Sequence, residues 1–213
     1  MAEAEEAGRS RRIELFATVL LSVAAVATAW SSYQATRWNG EQALAASRTN
    51  DLRVHAARAQ AQGESQTQVD VATFIQWVDA NAHDNEELQD FYELRFRDEF
   101  QPAFDAWLET DPFNNTDAPP TPFAMDEYRV AATEEAADFD AQEQVSAAEV
   151  RRNVVRASDY VLGVVLFAVA LFFAGMSTKL DSLRMRTVML VVGYAVFLCT
   201  VAWIATFPIS FVT

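Results

Sequence analysis

Three long uncharged runs stand out along the chain, at residues 15–36, 160–178 and 187–213. Each is at least as long as the roughly 18 to 20 residues that an α-helix needs to cross about 30 Å of hydrocarbon. The pattern therefore predicts three transmembrane helices, which we place at residues 13–36, 159–178 and 187–208. Pro208 is expected to end the third helix and to leave a short apolar tail at residues 209–213.

The first run differs from a cleaved signal peptide, although Arg9, Arg11 and Arg12 precede it. Its apolar stretch is longer than the usual signal core of about 7–15 residues. Trp30 and Tyr33 follow it at the place where small residues would mark a cleavage site. We therefore predict that this segment is retained as a helix.

The polar segment at residues 37–158 is predicted to form a helical extramembrane domain, inserted between the first and second spans. Residues 41–62 lack proline and are rich in Ala, Gln and Arg, which favour helix. Gly63 is expected to break this helix. The segment contains no run with the alternation of a strand and no hairpin turn. These features predict an all-α protein whose stalk helices are continuous with the spans.

A loop is predicted at residues 111–124, because its prolines are incompatible with the interior of a helix. From about residue 125 to residue 158 the pattern again indicates one long acidic helix, which enters the second span. The two stalk helices contain few large apolar residues, such as Leu44 and Leu52. Each stalk is therefore expected to need a neighbouring helix or a second subunit.

Basic residues in the short flanking segments indicate the orientation. Residues 1–12 contain three arginines, and the short basic turn at 179–186 contains Lys179, Arg184 and Arg186. By the positive-inside rule, both segments are predicted to be cytoplasmic, with the domain outside. The chain has a single lysine and abundant Ala, Asp and Glu, a composition typical of a high-GC prokaryote. We expect a multi-pass protein of the prokaryotic plasma membrane.

Aromatic residues fall at the ends of the spans that face the predicted domain. Tryptophan and tyrosine are enriched at membrane–water interfaces, where their rings match the mixed polarity of the headgroup region. We therefore predict an interfacial belt formed by Trp30, Tyr33, Trp38, Tyr160 and Trp203.

Charge and cysteine content exclude several classes of protein. The formal net charge is −14, and most of the acidic residues lie in the middle of the chain. Nucleic acid is therefore excluded as a partner, because phosphate binding requires a basic surface. Cys199 is the only cysteine, so the sequence predicts neither a disulfide framework nor a thiolate metal site.

No motif for catalysis, cofactor binding or metal binding is evident. Asp79 and His83 are one helical turn apart, but strong zinc signatures contain more ligands. The sequence shows no nucleophile–base pairing and no glycine-rich phosphate loop. We therefore predict no cofactor, no metal and no enzymatic activity.

Hydroxyl residues are the candidate functional groups of the first span. Thr18, Ser22 and Thr28 are candidates for lining a pore or for packing helices together, and packing is the more frequent role. The interiors of the spans contain no ionisable side chain, apart from Glu14 near the inner end. Proton-coupled transport usually needs one, so the sequence disfavours that function.

Four arginines flank the domain ends of the first two spans and are expected to lie close together. The favoured interpretation is contact with lipid headgroups and ion pairing with Glu41 or Asp159. The alternative is a basic ring around the mouth of a pore, which requires several subunits around an axis. The four residues are Arg37, Arg151, Arg152 and Arg156.

Several runs resemble those of a bacterial family of three-span membrane proteins with a domain of unknown function. The most specific are Trp30-Ser-Ser-Tyr-Gln-Ala-Thr-Arg-Trp-Asn-Gly-Glu-Gln-Ala43 and the segment at 91–108. The segments at 111–123 and 160–175 are also similar. The resemblance implies an architecture and does not supply catalytic residues.

The predicted function follows from the small bundle and the thin stalks, which both favour a homo-oligomer. We expect an assembly or interaction protein of the cell envelope, whose domain binds itself or another membrane protein. The alternative is an oligomeric ion channel, in which the acidic domain forms a vestibule that concentrates cations.

Overall fold

The computed structural model describes residues 2–210 of the chain, and side chains from Gly8 onward. Within that range it contains five α-helices, one 3-10 turn and no strand, which confirms the all-α prediction. The elements are α1 (Ala2–Ala82), α2 (Glu86–Glu93), α3 (Gln101–Glu109), the 3-10 turn (Pro122–Ala124), α4 (Ala131–Ser177) and α5 (Leu183–Ile204).

Three of these helices, α1, α4 and α5, are long and apolar enough to cross a membrane. The predicted first and second spans lie inside α1 and α4, and both helices extend well beyond the apolar stretches, as predicted. The third span begins and ends earlier in the chain than the predicted residues 187–208. It begins at Leu183, because Leu, Arg and Met in its first turn favour helix. It ends at Ile204, since the backbone before Pro208 disfavours the α conformation.

Gly63 does not break α1, contrary to the prediction. It is buried, and a Cβ atom at this position would lie 3.2 Å from the backbone nitrogen of Thr133 at the start of α4. The glycine therefore permits close approach of two helices.

The predicted start of the acidic helix at residue 125 was also wrong. Met125 has extended backbone after the 3-10 turn, and α4 begins at Ala131.

The chain divides into two compact units, with boundaries inside α1 and α4. One consists of residues up to Ser47 and from Ser146 onward, and we refer to it as the apolar unit. The other is Arg48–Val145, which we refer to as the acidic unit.

In the apolar unit, small residues are buried and large apolar residues are exposed. Ala17, Ala24, Ala170 and Ala174 are completely buried where α1, α4 and α5 pack together. Many large apolar residues are exposed on the outside, which is the reverse of the distribution in a water-soluble protein. Examples that are at least 60% exposed are Leu15, Val26, Phe172, Val191 and Leu198.

Gly193 of α5 lies where all three helices meet. A Cβ atom there would lie 3.2 Å from Cδ2 of Leu20 on α1 and 3.4 Å from the carbonyl oxygen of Ala170 on α4. The three helices approach this closely because their contact positions have small side chains.

The segment after α5 is held against the apolar unit by buried hydrogen bonds. The backbone nitrogen of Ser210 donates to Oε1 of Gln34 at 3.1 Å, and Nε2 of Gln34 donates to the Ser210 carbonyl at 3.4 Å. The Tyr160 hydroxyl donates to the Pro208 carbonyl at 3.2 Å. The two bonds to Ser210 satisfy the Gln34 amide, which is completely buried.

The acidic unit is built from an antiparallel pair, α1 and α4, with α2 and α3 packed at its aromatic end. Alanines such as Ala56, Ala59 and Ala136 are buried along the pair. α1 ends near Asp84, which has left-handed backbone (φ 52°), a conformation that aspartate tolerates better than most residues. The aromatic core is formed by Phe74, Trp77, Phe96, Phe100, Phe104 and Trp107.

We expect the substitution Ala170→Leu to destabilise the apolar unit, because the added atoms have no space between α1, α4 and α5. The cost should be about 1–3 kcal/mol, as for other overpacked cores. Ala168→Leu is a matched control, since Ala168 is exposed on the same helix. Thermal unfolding of nanodisc-embedded protein measures both. Equal melting temperatures for the two variants would contradict the packing described here.

Candidate functional site

Three different faces run along α1 within the apolar unit. The first is the buried face, which packs on α4 and α5. The second is exposed and carries large side chains, among them Leu15, Val19, Val26, Trp30 and Tyr33. The third is also exposed but carries only small side chains at spacings of three and four residues, which places them on one side of a helix. We call it the small-residue stripe: Thr18, Ser22, Ala25, Ala29, Ser32 and Thr36.

Three hydroxyl groups of the small-residue stripe, those of Thr18, Ser22 and Thr36, donate to carbonyls of the helix itself. Thr18 donates to the Glu14 carbonyl at 2.9 Å and Ser22 to the Thr18 carbonyl at 2.9 Å. Thr36 likewise donates to the Ser32 carbonyl at 3.0 Å. The stripe therefore presents a narrow surface of low polarity to its surroundings.

Thr28 is separated from the other two predicted hydroxyl residues. It is half-buried, lies off the small-residue stripe, and donates to the Ala24 carbonyl at 2.7 Å. The structure therefore places Thr18 and Ser22 on one exposed face and turns Thr28 toward the packed side of α1.

The four arginines that the sequence predicts to lie close together have different contacts. The Arg156 guanidinium lies 4.6 Å from the centroid of the Trp38 ring, a distance suited to a cation–π interaction. Arg37 forms an ion pair with Glu41 at 3.7 Å, one of the two pairings expected from the sequence. Arg151 and Arg152 are exposed on α4.

The five predicted belt aromatics differ in exposure: two are exposed, two are buried and one is half-buried. Trp30 and Tyr33 are exposed, with ring centroids 5.9 Å apart. Trp38 and Tyr160 are buried in a cluster, because the small side chains of Ala35 and Ala157 leave room for their rings. Trp203 is half-buried and contacts the Phe207 ring at 4.8 Å. Two of the five rings are thus used for packing within the protein.

A buried ion-pair network in the acidic unit was missed by sequence reasoning. Asp70 is only 1% exposed and accepts hydrogen bonds from Nε of Arg97 at 2.9 Å and from Nη2 at 3.3 Å. The Tyr128 hydroxyl donates to the same carboxylate at 3.2 Å, and Glu99 accepts from Arg97 at 3.0 Å. The sequence did contain one sign of a buried carboxylate. Asp70 lies one helical turn before Phe74, and therefore on the same face of the helix as this apolar residue.

Electrostatics keep this network in its bonded form. Burial lowers the pKa of the Arg97 guanidinium. The hydrogen bonds and negative charges of Asp70 and Glu99 outweigh this effect, so the pKa is raised overall. Burial and the charge of Asp70 raise the pKa of the Tyr128 hydroxyl. At neutral pH Arg97 is therefore charged and Tyr128 remains a donor. The network connects α1 to the segments on either side of α3, which is a structural role.

Asp79 and His83 lie beside each other at the surface. Nδ1 of His83 is 2.8 Å from the Asp79 carbonyl oxygen and 3.7 Å from its Oδ1. Among the residues with described side chains, no group of three or more His, Cys, Asp or Glu is placed to hold a metal ion.

Comparisons of the chain with protein-family models, with curated proteins and with solved structures find no match.

We expect Arg97→Met to destabilise the acidic unit strongly, because it leaves the Asp70 carboxylate buried without its cation. Breaking a buried pair from one side typically costs about 3–5 kcal/mol. The double variant Asp70→Asn with Arg97→Met should recover part of this loss, since no unpaired charge is then buried. Arg129→Met is the control: Arg129 pairs with Glu134 at the surface, where a pair contributes about 0–1 kcal/mol.

Thermal unfolding followed by tryptophan fluorescence distinguishes these variants. If Arg97→Met and Arg129→Met lowered the melting temperature equally, the buried network would not have the role described.

A second electrostatic feature predicts a pH dependence. Burial raises the pKa of the Glu93 carboxyl, and the charges of Asp105 and Asp90 raise it further, while the Trp77 indole acts in the opposite direction. The folded protein then holds this proton more tightly than the unfolded chain, so stability falls as pH rises through the raised pKa. At pH 7 the charged Glu93 lowers stability.

We therefore expect Glu93→Gln to raise the melting temperature modestly at pH 7, with the gain disappearing at pH values below the pKa of Glu93 in the unfolded chain. Glu87→Gln, an exposed change on the same helix, makes the same change in net charge and serves as control. A gain that is independent of pH, or equal in the control, would contradict this assignment.

Proposed function

We propose that this chain is an integral protein of the prokaryotic plasma membrane that self-associates through the small-residue stripe of α1. In this proposal α1, α4 and α5 cross the bilayer, with the N-terminus and the basic turn inside and the acidic unit outside. The protein serves as a homo-oligomeric assembly or interaction protein of the cell envelope, without enzymatic activity. The acidic unit binds its own copies or another membrane protein.

The distribution of side-chain size supports the membrane location. Large apolar side chains such as Phe172, Val191 and Leu198 face outward from the apolar unit. In water such a surface favours aggregation, whereas in a bilayer it contacts acyl chains at no hydrophobic cost. The resemblance to the bacterial three-span family agrees with this location, and we include membership of that family in the proposal.

The small-residue stripe is the observation that carries the proposal of self-association. Helices associate in membranes through van der Waals packing at small residues, because lipid offers no hydrophobic drive for association. The chain already uses such positions, since Ala17 and Ala24 pack against α4 and α5. Ala25 and Ala29 offer small side chains one helical turn apart on an exposed face. Two copies related by a two-fold axis would each cover the stripe of the other.

The alternative of an ion channel receives less support. A water-filled pore is lined by polar groups that are available to water or ions. The hydroxyls of Thr18 and Ser22 instead donate to carbonyls of their own helix. They also share their face with Ala25 and Ala29, which offer no polar group. The geometry therefore favours an association surface over a pore lining.

We expect the wild-type protein, measured by native mass spectrometry from nanodiscs, to be a dimer or a larger assembly. Ala25→Leu combined with Ala29→Leu should weaken association about tenfold or more, equivalent to about 1.4 kcal/mol, because the added side chains separate the helices. Val19→Leu combined with Val23→Leu is the control, since these residues lie on the exposed face with large side chains.

Each outcome of this measurement has a definite meaning. A monomeric wild type, or equal loss of assembly in both double variants, would overturn the proposed interface. A ring of four or more subunits with Thr18 and Ser22 facing the axis would favour the channel, and bilayer recordings would then test conduction.

A further inference from the structure

The loop between α3 and the 3-10 turn contains the tripeptide Asn114-Asn115-Thr116. It has the pattern Asn-x-Thr, without proline in the middle, that is recognised when a sugar is attached to an asparagine side chain. The seven asparagines of the chain provide this pattern only once, because no other asparagine is followed two residues later by Ser or Thr.

All three residues of the tripeptide are exposed. The base of the loop is fixed, because Nε1 of Trp107 donates to the Pro119 carbonyl at 2.8 Å and the Thr110 hydroxyl donates to the Trp107 carbonyl at 2.6 Å. The tripeptide thus lies at the solvent-facing tip of an anchored loop. An attached sugar there would extend into solvent without displacing core residues.

Local hydrogen bonds distinguish the two asparagines. The Asn115 amide is used at both ends: Nδ2 donates to the Thr110 carbonyl at 3.0 Å, and Oδ1 accepts from the Asp117 backbone nitrogen at 3.0 Å. Nδ2 of Asn114 donates to Oδ1 of Asp111 at 2.9 Å. A glycosylated asparagine keeps one N–H on Nδ2, so the bond to Asp111 is compatible with modification of Asn114.

We propose that Asn114 is a site of N-linked glycosylation on the outer side of the membrane. In the transfer step, Nδ2 of Asn114 attacks C1 of a sugar carried on a polyprenyl phosphate. The N–C1 bond forms, the bond from C1 to the phosphate oxygen breaks, and the polyprenyl phosphate leaves with the electron pair. The proton lost from Nδ2 passes to a base of the transferase, and nothing is oxidised or reduced. This inference rests on the proposed outside location of the acidic unit.

The test uses the full chain purified from the membranes of its own host. Trypsin cleavage after Arg97 and Arg129 releases one peptide, residues 98–129, which contains the whole tripeptide. We expect this peptide to carry sugar mass in the wild type and in Asn115→Gln. The added mass should be absent in Asn114→Gln and in Thr116→Ala, and Thr116→Ser should retain it. An unmodified wild-type peptide, or sugar that persists in Asn114→Gln, would overturn the proposal.

A second measurement separates failure of the modification from failure of the topology. Cys199 is replaced by alanine, and Asp126 is replaced by cysteine. Asp126 is exposed and, like the tripeptide, follows α3 in the chain. An impermeant thiol reagent is then added to intact cells. Labelling together with an unmodified peptide would reject glycosylation and leave the outside location in place. Labelling only after lysis would reject both.

Discussion

Close approach of helices through small side chains is the constraint on which this structure depends. Ala17 and Ala24 on α1, Ala170 on α4 and Gly193 on α5 leave no space for larger side chains in the apolar unit. Large apolar residues are consequently placed on the outside, where a bilayer can accommodate them. The same principle applies in the acidic unit, where alanines are buried along the pair formed by α1 and α4. Close contacts of this kind contribute dispersion energy, and the aromatic cluster adds a large apolar core.

The sequence was most informative where the physical signal was long and uniform. Uncharged runs predicted three membrane-length helices, and the absence of strand patterns predicted the all-α class. Helix pairing was less accessible, because alanine carries little hydrophobic signal. The sequence therefore left open whether a neighbouring helix or a second subunit covers each stalk. Gly63 was predicted to break the helix because glycine has poor helix propensity. In the structure its lack of a side chain makes room for Thr133, and α1 continues through it. Tertiary packing overrode local preference there.

In the candidate sites, too, some features could be predicted from the sequence and others depend on tertiary packing. Arg156 lies over the Trp38 ring, but sequence position could not show that Trp38 and Tyr160 pack inward. That outcome depends on the small neighbours Ala35 and Ala157, which belong to different helices. The Asp70 network joins segments distant in sequence, so spacing alone could not reveal it. A carboxylate on an apolar helix face indicates a buried partner without identifying it. The small-residue stripe, by contrast, can be recognised from spacing once the buried face of α1 is known.

The contact between Gly63 and Thr133 has a mechanical consequence for the acidic unit. Thr133 occupies a notch that exists only because Gly63 has no side chain. The positions one turn away on α1, Ala59 and Thr67, both carry a Cβ atom and would fill such a notch. A piston-like displacement of α4 along α1 by one turn is therefore sterically blocked. The Gly63–Thr133 contact thus fixes the register of the two helices in the acidic unit.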